Sequence, residues 1–279
     1  MTDKLNITIE KIASLCRQNP EFDSELRRRL GINKSGLAAL DDNRLSDIYE
    51  YCIEKIIRKQ AEEFYADFPL KLEVPYLVDD YCRMESFRRK DNFWDFCLAL
   101  YQQIERITNK LCDSQDLNDI AAGMWHLPAY VVTGNGISPS IDVRNDSKYT
   151  ISSLVLTKTK DPQEDKTAKE LRLQAAVDKM RAVVYFVGYK ACMRSSDYYA
   201  YHEITSLLYN IYQCRNMNHR GGALSQQQQT TINRISASQS LYCFKFIGVL
   251  AQYVEYIRDG ITHIPEILAY VKSLNNNVK

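Results

Sequence analysis

Apolar residues recur at spacings of three and four along most of the chain, the signature of helices that bury one face. The pattern is clearest in residues 85–112, where Phe93, Cys97, Leu100, Ile104, Ile107 and Leu111 fall on one side. Near the N-terminus, Leu5, Ile9, Ile12 and Cys16 share a face, and a second pattern through Phe22, Leu26 and Leu30 stops at Gly31, a residue suited to closing a helix in the left-handed conformation. Leu45, Ile48, Tyr49, Cys52 and Ile56 predict a longer helix after Asp41-Asp42, which can supply its N-cap. Pro69 and Pro75 then interrupt the chain. The expected organisation is an N-terminal helical segment, 1–80, followed by a helical domain, 81–279.

Residues 119–166 break the rhythm. They hold Gly123, Pro128, Gly134, Gly136, Pro139 and Pro162, and the stretch around Asn135-Gly136 is rich in β-branched residues. This predicts an irregular or β-hairpin insertion. Helical spacing returns behind Thr167–Glu170, a capping-box pattern, in Leu171, Leu173, Val177, Met180, Val184 and Val187. A further helix over about 197–214 places Tyr201, Ile204, Leu208 and Ile211 on one face. The run Gln226–Gln229 reads as the solvated start of a last long helix carrying Ile232, Ile235, Leu250, Val254 and Ile257, with a terminal helix after Pro265. The fold class is therefore mainly α.

Composition narrows the function classes. Glycine and proline are scarce (10 and 7), and 45% of residues are hydrophobic, which excludes collagenous and broadly disordered chains. No window approaches the ~18 uninterrupted apolar residues of a membrane span. The first residues lack the apolar core of a secretory signal, so the expected location is cytoplasmic. The eight cysteines form no CxxC pair and no zinc-type cluster with histidine, and most sit in apolar helical rhythms, as small buried hydrophobes do in a reducing compartment. The net charge of +1 argues against a broad basic nucleic-acid surface. It hides an asymmetry: 1–80 carry 12 basic and 16 acidic residues (−4), and 81–279 carry 24 and 19 (+5).

The candidate chemistry lies in that second part. His126, His202 and His263 have no paired ligand at helical spacing and read as structural. His219 differs. It lies in Arg215-Asn216-Met217-Asn218-His219-Arg220-Gly221-Gly222, at the polar end of an apolar helix. Four positions separate Arg215 from His219, so on a helix guanidinium and imidazole lie on nearly the same face. Arginine is a permanent cation whose planar donor fork suits phosphate, and histidine exchanges a proton near neutral pH. Together they can cleave RNA without metal or cofactor. His219 handles the proton of the 2′-hydroxyl or the leaving oxygen, and Arg215 stabilises charge on the phosphate. Asn216 and Asn218 can position the site, and Arg220 adds a second cation. The same residues also suit an ordinary helix C-terminus, where cations meet the dipole and Gly-Gly ends the helix.

This segment resembles the signature of the HEPN superfamily, helical domains found in many prokaryotic ribonucleases of phage defence, toxin systems and CRISPR effectors. Arg215-Asn216, His219 and Gly221 follow its order, and helical patterns at about 85–112, 168–193, 197–218 and 228–259 resemble its bundle. The resemblance covers about the last two-thirds of the chain. It implies a HEPN-like bundle and an endoribonuclease acting on single-stranded RNA. It also implies a homodimer in which two copies of the motif meet, in a defence or stress response. The superfamily typically places four to six residues between Arg and His, and this chain has three. The second expectation is accordingly a catalytically silent subunit that binds RNA or a nucleotide within a larger defence complex. Tyrosines crowd toward the motif, with Tyr198, Tyr199, Tyr201, Tyr209 and Tyr212 preceding it. Tyr201 and Tyr212 are expected in the core, and the others suit a seam or a base-stacking surface.

Overall fold

A computed structural model describes residues 2–31, 42–125, 151–156, 175–189, 198–219 and 224–276. Among them the chain is helical and contains no strand. It divides into two compact units, Met1–Phe64 and Tyr65–Lys279.

The first unit contains α1 (Thr2–Gln18), α2 (Pro20–Leu30) and nearly all of α3 (Asp42–Tyr65). The start of α2 is fixed by Asn19, whose side-chain oxygen accepts from the amides of Glu21 and Phe22 at 3.1 Å, with Pro20 preset for the first turn. Its end is fixed by Gly31, which turns left-handed at φ 64° as the sequence requires. Phe22, Leu26, Ile48 and Cys52 form a small core, flanked by Ile12, Leu15, Cys16, Leu30 and Tyr51. Ile9, expected on the buried face of α1, is exposed.

The second unit is built around α5 (Phe93–Cys112). Its predicted apolar face, Cys97, Leu100, Ile104, Ile107 and Leu111, is buried throughout. The helix expected over 85–112 is two helices. The first, α4 (Val74–Arg89), ends at a turn where Asp91 takes φ 54°, and the Asn92 side chain accepts the Asp95 amide to restart the chain as α5. An asparagine cap behind a left-handed residue makes a joint that the periodicity runs straight across. Against α5 pack α4, α6 (Gln115–Met124), α8 (Ala176–Val183), α9 (Tyr198–His219) and α11 (Gln239–Ile261). Two buried polar links tie this core. The Tyr65 hydroxyl donates to Gln103 at 2.8 Å, and Thr108 and Tyr253 share a hydrogen bond of 2.7 Å between α5 and α11.

The segment read as an irregular or β insertion is helical over residues 119–124 and 151–155, with a turn at Trp125. The helix α6 runs to Met124, and a short α7 covers Ile151–Val155, with the Ser152 amide donating to the Trp125 carbonyl at 3.0 Å. Ile151 and Val155, four apart, are both buried. Packing outweighs their β-branched preference here. The Asn135-Gly136 turn, the Thr167 capping box and Leu171 and Leu173 lie outside the described residues.

Behind α8 the chain continues as a π-helical segment, Val184–Tyr189. It meets α11 backbone to backbone at Gly260, where a Cβ would overlap the Val187 carbonyl. The last long helix expected from the sequence is also divided, into α10 (Gln226–Ser236) and α11, at Ala237-Ser238. Ser236 and Ser238, residues of weak preference for a helix interior, bracket Ala237 there, although the Ser238 side chain makes no cap bond. The chain closes with α12 (Ile264–Asn276), which packs on α6, with Val271 against Gly123. No helix among the described residues is long and apolar enough to cross a membrane.

Candidate functional site

Arg215, Asn216, Asn218 and His219 are carried by α9, and the helix forms for the reason its sequence predicts. Tyr201, Ile204, Leu208 and Ile211 are all buried, joined by Cys214, and they hold the helix chiefly against α5. The Thr205 hydroxyl folds back on the Tyr201 carbonyl at 2.7 Å. The helix runs through to His219, so the whole stretch from Arg215 to His219 is helical and the two residues lie one turn apart.

Arg215 is half-buried and held on two sides. Its guanidinium carbon stands 5.3 Å from the centroid of the Tyr101 ring, a cation–π contact supplied by α5. Its Nη1 donates to the Asn216 side-chain oxygen at 3.0 Å. Its Nε is buried without a hydrogen-bond partner, and among the described residues no carboxylate pairs with the group. The Tyr101 hydroxyl donates to Glu105 at 3.2 Å, and the ring lies 5.8 Å from that of Tyr212. Burial, then Glu105, pushes the Tyr101 phenol well above its ordinary pKa, while Arg215 opposes the shift. Tyr101 is thus a neutral platform at physiological pH. A guanidinium with its fork only partly used, lying on a neutral aromatic face, is poised for an anion.

The expected residues are placed unequally. Arg215 and Asn216 are in contact. Asn218 and His219 are in the last turn of the helix, where their backbone is described and their side chains are not. Arg220, Gly221 and Gly222 lie outside the described residues. Tyr201 is in the core, as expected, and Tyr212 is half-buried beside Tyr101.

Tyr101 was not legible as a site residue. It sits within the apolar pattern of α5, and only the packing of α9 on α5 brings it under Arg215. His202, read as structural, is exposed. The neighbouring thiols offer no chemistry at the surface: Cys97 and Cys214 are fully buried, and burial with the hydrogen bond between them raises the Cys97 thiol well above its ordinary pKa. The seven described cysteines are free thiols. No group of three or more His, Cys, Asp or Glu among the described residues could hold a metal ion. The chain matches no protein-family profile, no curated protein and no solved structure.

Proposed function

We propose that the chain is a metal-independent endoribonuclease of HEPN type acting on single-stranded RNA. In this reading His219 serves as general acid and base, and Arg215 stabilises the phosphate in the transition state. The observation that carries the reading is the state of Arg215: one turn from His219, fixed by Tyr101 and Asn216, and unpaired with any carboxylate among the described residues. A structural arginine in a partly buried place ordinarily has an acidic partner, because a desolvated cation is costly alone. Asn216 orients the guanidinium, and Asn218 and Arg220 have supporting, RNA-binding roles.

The likeness to HEPN proteins further suggests a homodimer with a composite site, working in the cytoplasm in prokaryotic defence or stress response. The test is cleavage of labelled single-stranded RNA in EDTA by wild type, Arg215→Ala and His219→Ala. Activity in the wild type that both substitutions abolish supports the proposal. An inert wild type, or variants with full rate, refutes it.

The gap of three residues between Arg215 and His219 favours a second reading: a silent HEPN-like subunit of a defence complex that binds RNA or a nucleotide. It requires salt-dependent RNA binding without cleavage.

A further inference from the structure

On the face of α9 turned away from α5, a cleft of about 650 Å³ opens between α8, α9 and α10. Its size falls within the range of about 300–1,000 Å³ that small ligands occupy. The charge of its walls sets it apart. Asp and Glu are nearly as numerous as Lys and Arg in the whole chain, yet no described residue lining the cleft is acidic. Arg181, His202 and Arg234 contribute the basic groups. Arg234 is exposed on α10 and pairs with no carboxylate among the described residues.

The floor is a fixed hydrogen-bond network. The Gln228 side-chain oxygen accepts the Ser225 amide at 2.9 Å, closing the capping box of α10. Its amide nitrogen donates to the Tyr209 hydroxyl at 3.0 Å and to the Gln213 side-chain oxygen at 3.3 Å. Gln228 thereby consumes acceptor capacity on both neighbours. The Tyr209 hydroxyl keeps its proton to donate, and Gln213, nine-tenths buried, keeps its amide hydrogens. A floor of donors under a basic rim recognises an oxyanion rather than a cation or an apolar group.

We propose that this cleft binds a phosphate-bearing ligand, recognised by the Arg234 cation on its rim and by the Tyr209 and Gln213 donors on its floor. The inference stands apart from the cleavage reading, because none of its residues belongs to the Arg215–His219 pair. The experiment uses the full chain and isothermal titration in EDTA at low and physiological salt. Three probes are titrated: inorganic pyrophosphate, adenosine 5′-monophosphate, and a short single-stranded RNA with 2′-O-methyl groups, which transesterification cannot cut.

Binding of pyrophosphate or the mononucleotide identifies a free ligand, and binding of the RNA alone identifies a strand phosphate. Either supports the proposal if Arg234→Gln weakens it by about tenfold and Tyr209→Phe by about threefold. The control Lys272→Gln, on α12 outside the cleft, should bind as wild type does. Circular dichroism of the two cleft variants confirms that each is folded. The proposal is overturned if no probe binds at low salt, or if Arg234→Gln and Tyr209→Phe both bind as tightly as wild type. An RNase assay that shows no cleavage leaves it intact, because the probes report binding alone.

Discussion

The partial burial of Arg215 allows its role to be separated from a structural one by a stability measurement. In Arg215→Met the apolar stem is retained while the guanidinium is removed. The cation gains from its bond to Asn216, about 1.5–3 kcal/mol for a charged donor, and from the Tyr101 face, about 0.5–1 kcal/mol. Against this stands the buried Nε without a partner, which costs about 1–3 kcal/mol. The terms nearly cancel, so Arg215→Met should lie within about 1 kcal/mol of wild type, or roughly 2–4 °C in the melting temperature of a unit this size. Removing one member of a buried ion pair would instead cost about 3–5 kcal/mol. Urea unfolding followed by circular dichroism gives the difference from the midpoints at constant slope. The same preparation, assayed on RNA in EDTA, should be inactive. A loss of stability of 3 kcal/mol or more, taken from the ion-pair scale, would show that Arg215 is a structural cation and would remove the basis of the proposed site.

Other consequences can be measured independently. Gly260→Ala should lower stability by about 1–3 kcal/mol, because the new methyl meets the Val187 backbone carbonyl, which cannot rotate away; an unchanged melting curve would contradict the close approach. The Thr108 hydroxyl donates to the Ile104 carbonyl at 2.6 Å, so Tyr253 is the donor in their shared bond. Tyr253→Phe should therefore cost only about 1 kcal/mol, and Thr108→Val, which strands a buried phenol proton, about 1–3 kcal/mol; the reverse order would be wrong for this geometry. Hydrogen bonds from Arg28 and Arg29 lower the Glu25 pKa to about 2 from the ordinary 4.5. The stability this group adds is present above 4.5 and is lost as pH falls toward 2. A carboxyl NMR titration that finds Glu25 near its ordinary value would refute the pairing.

The elements with strong periodicity were legible in the sequence. The face of α5 from Cys97 to Leu111, the left-handed stop at Gly31 and the buried row Tyr201, Ile204, Leu208 and Ile211 all lie where spacing puts them. The joints at Asp91 and Ser238 were not, because each depends on one or two backbone angles that leave the apolar register intact. Helix α7 was hidden by composition, since five residues give too few turns for a period of 3.6 to outweigh β-branching. The cleft had a trace in the sequence. His202, Ser206, Tyr209 and Gln213 recur at helical spacing on the side of α9 opposite the core. A polar stripe of that kind reads as a solvated face, and only the docking of α8 and α10 beside it makes it a wall. Arg215 and His219 could be paired on paper by their four-residue separation, whereas Tyr101, more than a hundred positions away in sequence, could not be.

The capping box of α10 makes the first turn of a helix and the floor of a cavity the same set of bonds. The amide of Gln228 donates to Ser225 while its side chain holds Tyr209 and Gln213, so fraying of that turn releases all three at once. Hydrogen exchange at this one amide is therefore a built-in gauge of the cleft. An occupant that steadies Tyr209 or Gln213 slows exchange at an amide it need not touch, and the gauge works without knowledge of what the occupant is.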